Sequence, residues 1–314
     1  MKKAVVTGAN GFIGHHFVER LSEQGYSVIA VIRDKQENIN NIMGFPNLRI
    51  VYCDLDCISK LPELIKEDVK GSVFYHFAWA SSSGEARSNY ELQLWNAKCS
   101  VKAAEAAAKL GCRRIVYSGS VTQLMYRDYL RKDDIIPERT TCYAVGKMAA
   151  EYMMKCICPE IGIEWIWTYI ANFYGADDPT DNFINMLIKS YHNGVVPELT
   201  PATQLADFMY VTDVAQAILE AGEKGKPDTS YYVGYGEPRP LKKFIETVRD
   251  CVNPDMDSGI GRKPFRGMNI DFDKVDYEKL HRHTGFTPQI TFDQGIKLII
   301  GCPGKIGDIS QINR

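Results

Sequence analysis

The first fourteen residues constrain the fold most, because they join a buried strand, a glycine-rich turn and the start of a helix. Residues 4–6 form an apolar run that predicts a strand, and residues 15–21 are compatible with a helix. Gly8, Gly11 and Gly14 lie between them in the spacing G-x-x-G-x-x-G. Such a turn lets the backbone approach a pyrophosphate and presents it to the N–H groups of a helix N-terminus. Ordinary strand–helix turns also contain glycines, so the position directly after a strand is what favours a dinucleotide site.

The rest of the first half alternates strand patterns with helix patterns, which is typical of a parallel sheet covered by helices on both faces. Further strands are predicted at residues 27–32, 48–52, 71–77, 114–117 and 164–170. Long helices are predicted at residues 89–110 and 143–157. The predicted fold class is therefore α/β, a doubly wound parallel (Rossmann) sheet.

The second half has a different pattern of predicted elements, which are shorter and are separated by many Gly and Pro residues. Predicted elements are helices near 182–193, 212–225 and 292–300 and strands at 207–211 and 230–233. We expect a dinucleotide-binding domain from residues 1–172 plus about 207–233, a smaller α/β C-terminal substrate lobe from 173–206 plus 234–300, and a tail at 301–314. Ligands of open α/β sheets bind at the carboxyl ends of the strands, so the lobe should cover the substrate there.

Composition limits the partners. The net charge of −2 over 314 residues gives no electrostatic reason to expect nucleic acid or a membrane surface as a partner. No apolar stretch approaches the ~20 residues of a membrane span. The N-terminus runs straight into a strand, so no signal peptide and a cytoplasmic location are expected. Nine scattered cysteines without paired zinc spacing predict reduced thiols and no metal site.

The end of the second strand indicates which cofactor binds. An acidic residue there bonds the ribose 2′-hydroxyl of NAD, whereas an Arg accommodates the 2′-phosphate of NADP. Ile32 stands where the carboxylate is expected, and Arg33 follows it, with Lys35 nearby. The pattern favours NADP(H); the alternative is a solvated Arg33 with Asp34 as the ribose acceptor.

A tyrosine and a lysine mark the candidate catalytic site. Tyr143 and Lys147 are one helical turn apart on one helix face, directly after a predicted loop. An ammonium nearby lowers the pKa of a phenol towards the range useful for acid–base catalysis. Ser118 and Ser120 end the fifth predicted strand, where a hydroxyl can donate to a substrate carbonyl. The alternative for Ser120 is a helix N-cap or turn serine.

Together these motifs resemble the extended short-chain dehydrogenases/reductases, the group of nucleotide-sugar epimerases, dehydratases and reductases. The resemblance covers nearly the whole chain in family order. The matching residues are Gly8, Gly11 and Gly14, Asp54 with Leu55, Phe77 with Ala78, Asn96, residues 118–120, Tyr143 with Lys147, and residues 172–175 and 207–215.

The resemblance implies a role for each matching position. Tyr143 is the acid–base, Lys147 binds ribose and lowers the pKa of Tyr143, and Ser120 holds the carbonyl. The expected cofactor contacts are Gly8, Asn10, Gly11, Phe12, Ile13, Gly14, Arg33, Asp54, Leu55, Phe77, Ala78, Ser118, Tyr143, Lys147, Ile170 and Asn172. The expected substrate contacts are Ser81, Ser120, Tyr143 and Asn172. Family members usually dimerise through the two long helices, which implies a homodimer.

Departures from the family patterns narrow the subgroup. The 4,6-dehydratases carry Asp-Glu where Val121 and Thr122 stand here. The fucose-synthase type has a Cys and a His where Thr122 and Asp177 stand. Ala206 replaces the Arg or Trp that many members place against the nucleotide. Arg239 and Arg266 are candidates for the diphosphate contact, with ordinary surface cations as the alternative.

These expectations favour NADPH-dependent reduction of a keto group on a nucleotide-activated, 4-keto-6-deoxy sugar, as in deoxysugar biosynthesis. The alternatives are a nucleotide-sugar 4-epimerase with tightly held NAD(P), an NADPH-dependent reductase of a non-sugar carbonyl, and a non-catalytic NADP-sensing protein. An intact set of Ser120, Tyr143 and Lys147 argues against the sensor, which has no need of all three.

Overall fold

The computed structural model describes residues 1–130, 137–265 and 268–301. It divides into two compact units. The first contains residues 1–170, 215–233 and 276–287; the second contains residues 171–214, 234–275 and 288–314 as far as they are described. Compared with the predicted domains, residues 171–172 and 207–214 lie in the second unit and residues 276–287 in the first. Arg266 and residues 302–314 of the predicted tail lie outside the described residues.

A seven-stranded parallel sheet forms the centre of the first unit. The strands in the described chain are β1 (Lys3–Thr7), β2 (Ser27–Ile32), β3 (Leu48–Tyr52), β4 (Val73–His76), β5 (Arg114–Ser118), β6 (Glu164–Ile170), β7 (Asn172–Tyr174), β8 (Leu205–Ala206), β9 (Phe208–Tyr210), β10 (Thr229–Val233) and β11 (Arg239–Pro240). The sheet order is β10-β6-β5-β4-β1-β2-β3, so the chain winds outward in both directions from β1. The predicted doubly wound fold is confirmed.

Helices cover this sheet and build the second unit. They are α1 (Phe12–Glu23), α2 (Leu61–Leu64), α3 (Tyr90–Lys109), α4 (Val121–Tyr129), α5 (Thr141–Glu160), α6 (Phe183–His192), α7 (Val211–Lys224), α8 (Leu241–Val252), α9 (Lys279–Thr284) and α10 (Phe292–Ile300). Helices α3 and α5 pack side by side. Small residues of α3, such as Ala103 and Ala107, are fully buried and contribute to one apolar core with α5 and the sheet.

Helix α9 belongs with the sheet because it packs on the edge strand β10. The Tyr231 hydroxyl and His283 Nδ1 are 2.8 Å apart. The Lys279 ammonium donates to the Ser230 carbonyl at 3.4 Å. These contacts explain why residues 276–287 join the first unit.

The second unit is organised around aromatic side chains. β7 and β9 form a parallel pair, β8 and β11 an antiparallel pair, and α8 packs against α6 and α10. Phe208, Phe244 and Phe292 pack with ring centroids 4.8–5.6 Å apart, and the Tyr174 ring lies 5.0 Å from Phe292. This aromatic cluster lies in the interior of the second unit.

Several elements differ from the sequence-based expectations. β4 is shorter than residues 71–77, because Gly71 has φ +74° and belongs to the preceding turn. α5 starts at Thr141, before the expected Tyr143. Helices α2, α4, α8 and α9 were not predicted; α8 is amphipathic and buries Phe244 against the aromatic cluster.

Candidate active site

The glycine turn between β1 and α1 is packed backbone to backbone. Gly8 has φ +67°, and a Cβ placed on it would lie 2.8 Å from the Ala78 amide nitrogen. A Cβ on Gly14 would lie 2.0 Å from the Gly8 carbonyl oxygen. Gly11 is the N-cap of α1 and has no side chain to occupy the helix N-terminus. The turn therefore fits a pyrophosphate, and it brings Gly8 against Phe77 and Ala78, as the predicted site requires.

Phe12 and Ile13, the first two residues of α1, are half-buried. The Asn10 side-chain amide donates to the Asn38 carbonyl at 3.2 Å and to Glu37 Oε2 at 3.4 Å. Glu37 also accepts from the Arg33 guanidinium. Residues after β2 therefore lie beside the glycine turn.

Arg33 is the cation expected to meet a 2′-phosphate. Its side chain is 63% exposed, and its Nε lies 3.8 Å from Asp34 in addition to its contact with Glu37. A phosphate at Arg33 has to compete with these two carboxylates. Glu37 was not predicted, and its link to both Arg33 and Asn10 depends on how the chain folds after β2.

Asp54 and Leu55 follow β3, at the same edge of the sheet. Asp54 Oδ1 accepts from the Leu55 amide at 2.6 Å and so caps a short 3₁₀ helix. The exposed Asp54 carboxylate has a second oxygen available for a ligand, as the predicted adenine contact requires.

Buried polar groups connect the ends of β1, β4 and β5. His76 Nδ1 lies 2.8 Å from the Thr7 hydroxyl, and its Nε2 lies 3.5 Å from the Ser100 hydroxyl. The Ser118 hydroxyl donates to the His76 carbonyl at 3.2 Å. Burial, with a smaller effect of the Lys147 charge, lowers the pKa of His76 to about 3. His76 is therefore a neutral structural group at physiological pH.

Tyr143 and Lys147 are both almost completely buried on the first turns of α5. The Lys147 ammonium donates to the Ser118 carbonyl at 2.8 Å and lies 3.8 Å from the centre of the Trp79 ring. It is 5.9 Å from the centre of the Tyr143 ring. The structure thus brings Ser118, Tyr143 and Lys147 together, with Trp79 as a further wall that was not among the predicted contacts.

The protonation of this pair is shifted in two directions. Burial raises the pKa of Tyr143, while the Arg87 charge and the nearby Ser120 hydroxyl lower it by smaller amounts. Burial, reinforced by the Arg87 charge, lowers the pKa of Lys147 to about 7. The cation that counteracts burial at Tyr143 is Arg87; the family resemblance assigns this effect to Lys147. The direct contacts of the Lys147 ammonium, the Ser118 carbonyl and the Trp79 ring, carry no negative charge that would offset burial and the Arg87 charge.

Ser120 occupies a helix N-cap, which was the alternative to its predicted role as carbonyl ligand. It is the N-cap of α4, where its hydroxyl oxygen accepts from the Thr122 amide at 3.3 Å and the Thr122 hydroxyl at 2.9 Å. The same side chain lies close enough to the Tyr143 hydroxyl to lower the pKa of Tyr143. A cap residue has a fixed position, so the helix start aims Ser120 at the tyrosine.

Gln123 fixes the backbone of Ser120 through a capping box. Its Oε1 accepts from the Ser120 amide at 2.9 Å and from the Trp167 indole at 3.2 Å, and its Nε2 donates to Glu151 at 2.8 Å. Glu151 is buried and also accepts from Lys155 and Tyr169, each at 2.5 Å. The Ser-x-x-Gln spacing signals this capping box in the sequence, where it was missed.

The remaining predicted site residues belong to other segments of the chain. Ile170 is buried at the end of β6, and Ser81 is exposed with φ +56° in the loop after β4. Asn172 and Arg239 belong to the second unit. The Asn172 amide donates to the Asp207 carbonyl at 3.3 Å, and the exposed Arg239 guanidinium lies 4.9 Å from the centre of the Phe244 ring.

Comparison with known proteins decides the family. A model described as the NAD-dependent epimerase/dehydratase family matches residues 4–234. The chain belongs to this family. It is thus an enzyme of the extended short-chain dehydrogenase/reductase type, which uses a nicotinamide dinucleotide cofactor.

Individual family members differ in activity. The chain is 25% identical to CDP-abequose synthase of Salmonella typhimurium and 23% identical to dTDP-4-dehydro-6-deoxyglucose reductase of Escherichia coli, with 94% of this chain and 96% of each relative covered. The structure of UDP-glucose 4-epimerase from Thermotoga maritima, with UDP-glucose, superimposes with a TM-score of 0.74 at 21% identity, over 95% of this chain and 97% of that one. This structural likeness extends the shared fold to nearly the whole chain.

The family-like segment 207–215 also has a structural use in the second unit. Asp207 Oδ2 accepts from the Gly236 amide at 3.0 Å. Asp213 Oδ2 accepts from the Gln289 and Ile290 amides at 2.9 and 2.8 Å. Two buried carboxylates thereby hold distant segments of the second unit together.

Two classes of feature are absent from the described residues. No helix in the described part of the chain is long and apolar enough to cross a membrane. Residues 1–130, 137–265 and 268–301 contain no cluster of three or more His, Cys, Asp or Glu side chains arranged to hold a metal ion.

Proposed function

We propose that this protein catalyses NADPH-dependent reduction of the keto group of a nucleotide-activated 4-keto-6-deoxy sugar, and does so in the cytoplasm. The observation that carries the proposal is the buried cluster in which the Ser120 side chain lies close to the Tyr143 hydroxyl while Lys147 lies one helical turn further along α5. A family member with this set has a proton donor, a carbonyl ligand and a cation at one place.

Each side chain has a separate task in the proposed reaction. Tyr143 delivers a proton to the carbonyl oxygen as that oxygen gains negative charge. Ser120 donates a hydrogen bond to the same oxygen and keeps it in line with the phenol. Lys147, with its ammonium already bound to the Ser118 carbonyl, holds the ribose next to Tyr143. Burial of the tyrosine excludes water, so the proton passes to the substrate alone.

NADPH, when bound, supplies the hydride that the carbonyl carbon receives. The chain's own part is to bind it: the glycine turn for the pyrophosphate, Asp54 for the adenine, and the surface of Phe77 and Ala78 for the part between. The close backbone packing at Gly8 and Gly14 supports this assignment, because a side chain at either position would collide with the neighbouring backbone.

The preference for NADPH rests on Arg33. Its exposed guanidinium can pair bidentately with a 2′-phosphate, and Lys35 adds positive charge two residues later. A phosphate carries more charge than the Glu37 carboxylate and can displace it from Arg33.

A nucleotide-sugar 4-epimerase that holds NAD is the second candidate. The ion pair between Arg33 and Glu37 favours it, because this pair already neutralises the cation that would select NADP. An epimerase needs the same Ser120, Tyr143 and Lys147, but its cofactor is regenerated in each turnover.

The proposal includes a homodimer. Helices α3 and α5 carry large apolar side chains that point to solvent: Leu94, Val145, Tyr152 and Met153 are between 42% and 56% exposed. Such a face on two adjacent helices favours association with a second copy. Light scattering at micromolar concentration should give twice the chain mass of 35.4 kDa, and a monomer would reject this part.

A screen of CDP-, dTDP-, GDP- and UDP-linked 4-keto-6-deoxy sugars tests the function. NADPH oxidation at 340 nm is followed with each sugar, and the product is identified by mass. We expect one NADPH consumed for each sugar reduced, with one nucleotide preferred. A sugar that changes configuration without net NADPH oxidation would establish the epimerase instead.

A further inference from the structure

Arg87 lies beside the predicted catalytic tyrosine, although no motif pointed to it. It belongs to the short 3₁₀ helix Glu85–Ser88, which precedes α3. Its guanidinium carbon lies 4.1 Å from the centre of the Tyr143 ring, and the side chain is half-buried. This places a permanent cation directly at the face of the phenol.

The position of Arg87 is supported by α3. Gln93 is almost completely buried, and its amide donates to the Ala86 carbonyl at 3.0 Å. Its Oε1 accepts from the Trp79 indole at 2.9 Å. One side chain therefore holds both the 3₁₀ helix that carries Arg87 and the tryptophan that packs against Tyr143 and Lys147.

Arg87 differs in its partners from Arg114 and Arg249, which are paired with carboxylates. Arg114 pairs with Glu164 at 2.6 Å, and Arg249 pairs with Asp250 at 2.6 Å. Within the described residues, the Arg87 guanidinium makes neither an ion pair nor a hydrogen bond. The half-buried Arg87 guanidinium keeps its N–H donors open to solvent, so a ligand that supplies acceptors can bind them without displacing a carboxylate of the described chain.

The neighbouring charges indicate what that ligand offers. Lys147 is the other cation at Tyr143, and its contacts are the neutral Ser118 carbonyl and the Trp79 ring. No carboxylate of the described chain pairs with either cation. A ligand rich in oxygen acceptors would satisfy them, whereas an apolar ketone would leave the guanidinium unsatisfied.

We propose that Arg87 is a specificity-determining residue that hydrogen-bonds the oxygen on the carbon next to the substrate carbonyl. The inference rests on the proposed function, in which Tyr143 protonates that carbonyl. Oxygens on neighbouring carbons lie close enough together for one to face the phenol and the other the edge of the guanidinium. Arg87 thus selects an α-hydroxy ketone, the arrangement found in a keto sugar, over a ketone without that hydroxyl.

The test uses two substrates that differ in this hydroxyl: a nucleotide-linked 4-keto-6-deoxyhexose and its 3-deoxy counterpart with the same nucleotide. kcat and KM for both are measured with wild type, Arg87→Met, which keeps most of the apolar stem, and Arg87→Lys. Arg20→Met, which removes a half-buried arginine of α1 that pairs with Glu23, is the control. Turnover is also measured as a function of pH for each protein.

For Arg87→Met we expect kcat/KM for the 3-hydroxy sugar to fall about 10- to 100-fold, the effect of losing a hydrogen bond to a charged group. The 3-deoxy sugar should lose at most about threefold. Arg87→Lys keeps the positive charge but loses the planar set of N–H donors of the guanidinium. It should therefore recover part of the preference for the 3-hydroxy sugar. The control should match wild type with both sugars.

Equal losses with both sugars, together with a shifted pH profile, would show that Arg87 acts only on Tyr143 and would overturn the inference. If Arg87→Met does not fold, Arg87→Lys provides the test. The same ratio of kcat/KM for the two sugars in Arg87→Lys and in wild type would contradict a contact made by the planar guanidinium. Wild-type protein that reduces neither sugar would reject the proposed function, and the Arg87 inference with it. Wild-type turnover therefore tests the proposed function, and the ratio of kcat/KM between the two sugars tests the role of Arg87.

Discussion

Two regions of the first unit recognise their ligands in different ways. Around the glycine turn, recognition is left to backbone groups and to an exposed arginine whose charge is already balanced by Glu37. Around Tyr143, side chains from separate segments meet in a buried cluster, and the cations there have no carboxylate partner in the described chain. The first region is suited to holding phosphates, and the second to changing the protonation of a substrate. Substitutions should therefore affect binding in one region and chemistry in the other.

The largest effect is expected in the buried cluster. Tyr143→Phe removes one hydroxyl, so turnover should fall about 10²- to 10⁴-fold, the contribution of a positioned general acid, while the NADPH dissociation constant stays close to wild type. Lys147→Ala should weaken NADPH binding as well, and Ser120→Ala should slow turnover less than Tyr143→Phe. Turnover and NADPH affinity are measured for all three. Wild-type turnover by Tyr143→Phe would remove Tyr143 from the mechanism.

At the glycine turn, stability and cofactor binding should change together. Gly14→Ala puts a methyl group 2.0 Å from the Gly8 carbonyl oxygen, so we expect a loss of about 3 kcal/mol in the free energy of unfolding, the upper range for an overpacked site. Gly11→Ala, whose Cβ would be 3.2 Å from the same oxygen, is the matched control and should lose about 1 kcal/mol. Urea unfolding and NADPH titration measure both. Equal stability of the two variants would contradict the described packing.

Cofactor preference is the next smaller effect. Arg33→Ala should remove about 1.5–3 kcal/mol of the preference for NADPH over NADH, the value of a hydrogen bond to a charged group. Glu37→Gln should strengthen NADPH binding by up to about fivefold, because it removes an exposed ion pair that competes with the phosphate. Titrations with both cofactors test this. Wild-type protein that binds NADH as tightly as NADPH would assign the site to NAD.

The smallest expected effect is the change in the free energy of unfolding for each pH unit. The pKa of His76 is lowered to about 3 and that of Lys147 to about 7, so in each case the unfolded chain binds more protons above the folded pKa. Stability should therefore rise with pH, by at most about 1.4 kcal/mol per pH unit for each group, from about pH 3 to 6.5 for His76 and from about pH 7 to 10.5 for Lys147.

His76→Asn and Lys147→Met should each flatten one window and leave the other unchanged. Denaturant unfolding at a series of pH values measures both windows. A Lys147→Met curve parallel to wild type above pH 7 would mean that the ammonium stays charged when buried.

Elements that depend on local sequence patterns could be predicted from the sequence. The glycine turn and strands such as β2, β3 and β6 depend on local patterns, and their predicted bounds agree with the structure. Helix α8 was missed because Pro240 precedes it and no side chain caps it, although Phe244, Ile245 and Val248 mark an apolar face. Patterns within one segment can be read from the sequence.

Contacts between segments could not be predicted in the same way. Tyr143 and Lys147 lie on one helix, so the pair could be predicted from its spacing in the sequence. Arg87 reaches Tyr143 from a different segment, and the link from Arg33 to Asn10 passes through Glu37. Such contacts depend on the packing of the whole unit. Their assigned roles remain predictions.

The central claim is net reduction of a keto sugar, and transfer of label from the cofactor tests it most directly. Protein is incubated with NADPH deuterated at the hydride position and with the preferred 4-keto-6-deoxy sugar nucleotide. We predict one deuterium on the former carbonyl carbon of each product, matched by one NADP formed. A product that is only an epimer of the starting sugar, with no deuterium from the added cofactor and no NADPH consumed, would contradict the claim.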